Sequence, residues 1–275
     1  MSIRKLYFAG VMAAIITVSG CTSSIVPLTG RKVTTFGVSA AELEQQAAIA
    51  YNNLLKDPQV KVVSASNSEA QRVKRIGANI QNAVTKYMVA NGFEEQIKGF
   101  KWEFNLIESP EINAWCMPGG KVAVYTGILP ITKDDLGLAT VMGHEVAHAI
   151  AQHSAERASD MVKAQLGGAA VGVLTSGRSE QTQSVINEIY GLGAQGAFIL
   201  PNSRKQELEA DKMGLSFMAM AGYDPRAAVN FWQRMAQASS NSQKPPVFLS
   251  THPTDNDRIA QINKALPEAL KYYNK

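Results

Sequence analysis

Two histidines four residues apart enclose a glutamate in the run His144-Glu145-Val146-Ala147-His148. On a helix, positions i and i+4 lie one turn above each other, so both imidazoles address a single point where a metal can be held. Glu145 sits one position round. It is badly placed to bind the same ion and well placed to take a proton from a water on it. Zinc suits such a set, because it accepts imidazole nitrogen and carboxylate oxygen, makes a bound water acidic near neutral pH and polarises a carbonyl. The chain has 4 histidines in 275 residues. With so few, this spacing in a helical context points to hydrolytic chemistry rather than to a pair of solvated surface histidines.

A catalytic zinc takes three protein ligands and keeps a fourth position open. Three residues compete to complete the set. His153 follows His148 by five residues and so points to a different side of the helix. Ala151 and Ser154 also stand where the extended three-histidine motif has Gly and His, so His153 is read as a surface residue or one behind the ligands. His252 lies in Thr251-His252-Pro253, a turn that cannot be placed from sequence. Glu207 is the best candidate. It opens Glu207-Leu208-Glu209-Ala210-Asp211 on an expected helix, with Asp211 four residues on along the same face, able to orient an imidazole from behind. Glu209 falls on the opposite face and is expected to be solvated.

Local signals supply the elements that would position these groups. Ser39 and Glu42 form a capping-box pattern, and Leu43, Ala47, Ala50 and Leu54 recur at helical spacing up to Asp57-Pro58. A second helix is expected from Ser68 to about Ala90, with Val73, Ile76, Ile80 and Val84 on one face. The period then changes to two. Trp102, Phe104 and Leu106, and after the Pro118-Gly119-Gly120 turn Val122 and Val124, read as strands of a small sheet. Asp134 and Asp135 cap the helix that carries the motif. Ser203 with Gln206 starts the Glu207 helix, which runs to Ala221-Gly222, before Asp224-Pro225 opens another. Residues 164–200, rich in Gly, Ala and Ser, read as a helical hairpin or lid rather than a re-entrant membrane segment. The expected fold is α+β and mostly helical, with a small sheet beside the motif helix and the zinc between that helix and the one carrying Glu207.

With 45% hydrophobic and 18% charged residues, the chain is not compositionally disordered, and one catalytic domain is expected. Arg4 and Lys5 precede an apolar run from Leu6 to Val18, too short to span a bilayer comfortably. Val18-Ser19-Gly20-Cys21 resembles a bacterial lipobox. The expected division is a signal peptide over 1–20, a tether over 21–38 beginning at an acylated Cys21, and a peptidase domain over 39–275. Removing 1–20 lowers the formal charge from +4 to +2, so the basic balance gives no ground for a nucleic-acid partner. Cys116 is then the sole free thiol and no intrachain disulfide is expected. It reads as a small buried hydrophobe.

The ordered set of motifs is similar to the gluzincin metallopeptidases that include HtpX and the CaaX prenyl endopeptidases, in particular their soluble, lipid-anchored bacterial relatives. The resemblance rests on HEVAH and, some sixty residues on, the E-x-x-A-D helix. It extends to Asn113-Ala114-Trp115, Pro118-Gly119-Gly120, Tyr125-Thr126-Gly127, Ser203-Arg204, His252-Pro253 and Arg258. It implies one Zn2+ per chain on His144, His148 and Glu207, Glu145 as acid/base, and Asn113, Ala114 and Trp115 on an edge strand that pairs with extended substrate. Polypeptide substrates, unfolded or membrane-associated, and a quality-control role in the cell envelope follow as expectations. A low-turnover, chaperone-like zinc protein is the alternative. His252 is given two roles to test, donating to the oxyanion or filling the open coordination position. Arg258 is assigned a salt bridge. Thr22, in place of an aspartate after Cys21, favours an outer-membrane lipoprotein facing the periplasm.

Overall fold

The computed structural model describes residues 21–165, 185, 201–240, 246–252 and 257–273. The expected signal peptide lies outside them, as does almost all of the expected hairpin or lid over 164–200.

The first described segment departs from expectation. Residues 21–38, read as a tether, contain an antiparallel hairpin of β1 (Cys21–Ile25) and β2 (Lys32–Phe36), with Cys21 opposite Phe36. Val33 and Thr35 are buried while Lys32 and Thr34 are exposed. This two-residue period is easily lost among Ser and Thr in the sequence. The hairpin is tied down: Phe36 N–H donates to Ser159 Oγ at 2.8 Å and Ser24 Oγ to Gln152 Oε1 at 3.2 Å.

The helices match their sequence signals closely. In α1 (Ala40–Lys56), Ser39 and Glu42 form both halves of the capping box. In α2 (Ser68–Ala90), the Asn67 side chain accepts from the first free amides. Four strands follow: β3 (Lys61–Val62), β4 (Glu103–Glu108), β5 (Ala114–Met117) and β6 (Lys121–Tyr125), in the order β3-β4-β6-β5. β4 and β6 are parallel, β5 is antiparallel to β6, and β5 is an edge. The β5–β6 turn needs glycine. Gly119 and Gly120 have φ of 80° and 81°, and a Cβ on Gly120 would stand 2.7 Å from the Trp102 ring.

Strand alternation divides the core into two layers. Val122 and Val124 face the cluster that includes Val73, Ile76, Ile80 and Val84 of α2. Ala123, Tyr125, Trp115 and Met117 face the cluster that includes Leu43, Tyr51 and Leu54 of α1.

After the short α3 (Leu129–Thr132), α4 (Asp135–Ile150) carries the HEVAH run and is buried on every side from Gly137 to Ile150. Such a helix belongs at the centre of the domain. The Asp134 side chain caps it, accepting from Gly137 N–H at 2.8 Å. α5 (His153–Gln165) follows after Gln152, whose φ of 59° reverses the chain. α6 (Arg204–Met220) starts at the Ser203–Gln206 capping box and crosses α4 at near backbone contact, since a Cβ on Gly214 would lie 2.8 Å from His144 N. α7 (Ala227–Ser240), α8 (Val247–Thr251) and α9 (Arg258–Ala269) close over this crossing. The architecture is α+β and mostly helical, with a small sheet beside the HEVAH helix, as the sequence led us to expect. Among the described residues no helix is long and apolar enough to cross a membrane.

Candidate metal centre

The α4–α6 crossing brings His144, His148 and Glu207 together, all buried. His144 Nε2 lies 3.0 Å from His148 Nε2, and Glu207 Oε2 and Oε1 lie 3.4 Å from the two nitrogens respectively. Zinc bonds of about 2.0–2.1 Å in tetrahedral geometry require ligand atoms roughly 3.3 Å apart, so the two imidazole nitrogens and the carboxylate stand near the spacing a zinc ion needs. The polar bonding makes the same case. His144 Nδ1 is bonded to Asp211 Oδ1 at 2.9 Å and His148 Nδ1 to His153 Nδ1 at 2.8 Å. With both Nδ1 atoms turned to these partners, the two Nε2 atoms face each other beside a carboxylate whose oxygens have no hydrogen-bond partner. A cation resolves that arrangement. His252 brings a fourth ligand atom to the group, all four lying within 4.8 Å of one another.

Burial and neighbouring charge set the proton affinities of the metal-free centre. Burial by itself lowers His144, but Asp211 and Glu207 outweigh it and lift the imidazole to about 9. Burial holds His148 well below its ordinary value and brings His252 down to about 3. For Glu207, burial is overcome by the surrounding histidines, and its carboxyl is held far below the usual range.

Glu145 points towards the edge strand. It accepts from Cys116 N–H, its Oε1 is 3.3 Å from His252 Nε2, and burial pushes its carboxyl up to about 8. Tyr125 N–H donates to Asn113 O, so antiparallel alternation turns Asn113, Trp115 and Met117 towards β6 and presents the backbone of Ala114 and Cys116 at the open edge. Asn113 Oδ1 covers the Ala114 N–H at 2.9 Å. Cys116 is buried, as read from sequence, and its thiol is pushed well above its ordinary value by burial.

His252, which sequence left unplaced, is buried at the C-terminal end of α8, stacked on Phe248 with ring centroids 4.3 Å apart. The α8 amide Phe248 N–H donates to Ile112 O at 3.1 Å, fixing this turn over the centre. Arg258 is buried with its guanidinium carbon 3.3 Å from the Trp232 ring centroid; it pairs with Asp211 at 2.7 Å and Glu207 at 3.2 Å. Cys21 is exposed at the start of β1.

Of the two places the sequence allows His153, the structure gives the one behind the ligands, where it is fully buried. Glu209 is a correction: it is not solvated but accepts from His153 at 2.9 Å and from Thr29 at 2.6 Å, and pairs with Arg31 at 2.6 Å. The cause is the left-handed Gln152, which ends α4 and swings His153 back to His148, while the β1–β2 hairpin covers the face of α6 that helical geometry assigned to water. Arg31 also pairs with Glu156. A continuous line thus runs from the hairpin through Glu209 and His153 to a metal-facing imidazole. Partners behind metal ligands fix ring orientation and tautomer, and their loss commonly weakens metal binding by about 10- to 100-fold. His153→Ala is expected to lower zinc affinity within that range, and His153→Asn, whose side chain retains an amide, to lower it less. Competition with a chromophoric chelator measures both, and equal effects would contradict the buttress. Burial raises Glu209, but His153, Arg31 and Thr29 together hold it down to about 2. Its contribution to stability is therefore complete above the ordinary carboxylate range and lost as pH falls through about 2.

The model of peptidase family M48 matches residues 75–266, a span that takes in α4, α6, His252 and Arg258. The chain is 43% identical over 171 residues to the mitochondrial metalloendopeptidase OMA1 of Schizosaccharomyces pombe, covering 62% of this chain and 48% of that one. It is 32% identical over 229 residues to the Saccharomyces cerevisiae protein of the same name, covering 81% and 63%. A putative beta-barrel assembly-enhancing protease of Vibrio cholerae is 34% identical over 162 residues, covering 57% and 33%. The chain spans about half the length of the curated relatives it matches. Relatives named as mitochondrial, at up to 43% identity, overturn the expectation of an outer-membrane lipoprotein facing the periplasm, which rested on a few residues around Cys21. The family match and the centre's geometry agree: the chain belongs to peptidase family M48, a family of zinc metallopeptidases.

Proposed function

We propose that this domain is a zinc endopeptidase acting on unfolded or misassembled polypeptides. The observation that carries the reading is the convergence of His144 Nε2, His148 Nε2 and the Glu207 carboxylate within 3.4 Å of one another, with a buried glutamate at the adjoining strand edge. Bound there, zinc supplies a Lewis acid that acidifies a water and polarises the scissile carbonyl. Glu145 takes the water's proton and returns it to the leaving amine. Asp211 and Arg258 hold His144 and Glu207 in place. An extended segment of substrate pairs with Ala114 and Cys116, displacing the Asn113 side chain from the Ala114 amide. Backbone pairing reads chain shape rather than sequence, which suits unfolded substrates. His252, 3.3 Å from Glu145, would either offer a fourth ligand to the metal or turn to the developing oxyanion.

A second reading, a low-turnover zinc protein acting as an assembly factor, draws on the assembly-enhancing name of the Vibrio relative. Incubation with reduced, carboxymethylated lactalbumin and with the same protein in its native, disulfide-bonded form separates the two. The peptidase reading requires internal cuts in the unfolded form, mapped by mass spectrometry, with the native form spared. Binding of the unfolded form without cuts would favour the assembly reading.

A further inference from the structure

A small, partly open pocket adjoins the metal centre, sharing His148 as a wall. Leu43, Phe100, Pro118, Ala149 and Ala155 supply apolar lining, and its polar lining includes Glu44 and Gln96. Both of these offer acceptors. The Gln96 amide nitrogen is used by Ile25 O at 3.0 Å, which leaves Gln96 Oε1 buried without a partner. Glu44 is half-buried on α1, and among the described residues no cation lies within salt-bridge distance of its carboxylate. The carboxylate lies against Gly99, where a Cβ would come within 2.0 Å of Glu44 Oε2. Burial raises its pKa, the mark of a carboxylate short of a counter-charge.

Position links the cavity to the strand edge. Cys116 N–H meets Glu145, and Pro118, two residues on, lines the cavity. Strand residues rise about 3.3 Å each and alternate faces, so a substrate residue opposite Pro118 lies within two residues of the bond opposite Glu145. We propose that this cavity is a specificity pocket for a lysine or arginine side chain within two residues of the cleaved bond, its stem against Leu43, Phe100 and Pro118 and its cationic head on Glu44 and Gln96. Long basic side chains bury an aliphatic stem while keeping a polar end for acceptors, and the pocket offers that division. The proposal names a substrate preference for the site argued above and rests on the peptidase reading.

The test uses internally quenched peptides, each varying one of the three residues on either side of the cleaved bond among Lys, Arg, Leu and Glu. At one position within two residues of that bond, the protein should prefer Lys or Arg to Leu in kcat/KM. Glu44→Gln should reduce that ratio by roughly five- to tenfold, and Glu44→Lys should turn the preference towards Glu. The ratio is internal to each variant, and thermal unfolding and zinc content establish that each is folded and loaded. No basic preference in the native protein, or one that survives both substitutions, overturns the pocket. Absence of cleavage of every peptide and of unfolded protein overturns the peptidase reading instead.

Discussion

Replacing Glu207 by glutamine is expected to strip zinc from the protein while leaving its helices in place. Both carboxylate oxygens of Glu207 are buried without a hydrogen-bond partner, and their neighbours are two imidazole nitrogens at 3.4 Å and Arg258 at 3.2 Å. A neutral amide removes the anionic ligand and turns an N–H towards groups that are already donors or metal-facing lone pairs. The effect should exceed the roughly 10- to 100-fold that loss of a partner behind the ligands brings. A weakening of at least about 10³-fold in zinc Kd, some 4 kcal/mol, is expected by competition titration. The Ser203–Gln206 capping box and the Arg258–Asp211 pair at 2.7 Å remain to hold α6. Unchanged zinc affinity would remove Glu207 from the ligand set.

Glu145→Gln should do the reverse, retaining zinc and losing turnover. Glutamine keeps the volume of a fully buried side chain and can still accept from Cys116 N–H, so packing and the ligand set are undisturbed. It cannot take a proton. General-base contributions run to about 10²–10⁴-fold, and a fall of about 10³-fold in kcat/KM on unfolded protein is expected. A comparable fall accompanied by loss of zinc would show Glu145 acting as a ligand instead.

The parts of the centre governed by helical period and capping were legible from sequence. His144 and His148 share a face because four residues make a turn, Asp134 and Ser203 mark helix starts by their side-chain chemistry, and Glu207 and Asp211 repeat the same spacing. What was missed depends on tertiary placement. Helical geometry sent His153 away from His148, and this holds only while the helix continues. Gln152 adopts a left-handed conformation without being Gly or Asn, so no residue type announced the break. Glu209 was read as solvated because nothing local shows that a distant hairpin will cover it with Thr29 and Arg31. The hairpin reads as a tether in sequence because its Val33 and Thr35 alternation is too short to stand out. Arg258 was assigned a salt bridge by resemblance, but its double pairing with Asp211 and Glu207 depends on α9 packing against α6.

The most direct test of the central claim is a zinc titration of metal-free protein with cleavage of casein followed at each step, run on the native chain and on Glu145→Gln. The account predicts no cleavage without metal, activity rising to a break at one zinc per chain, and the same binding break in Glu145→Gln with cleavage reduced by about 10³-fold. Cleavage by the metal-free protein, or equal cleavage by Glu145→Gln, would contradict it.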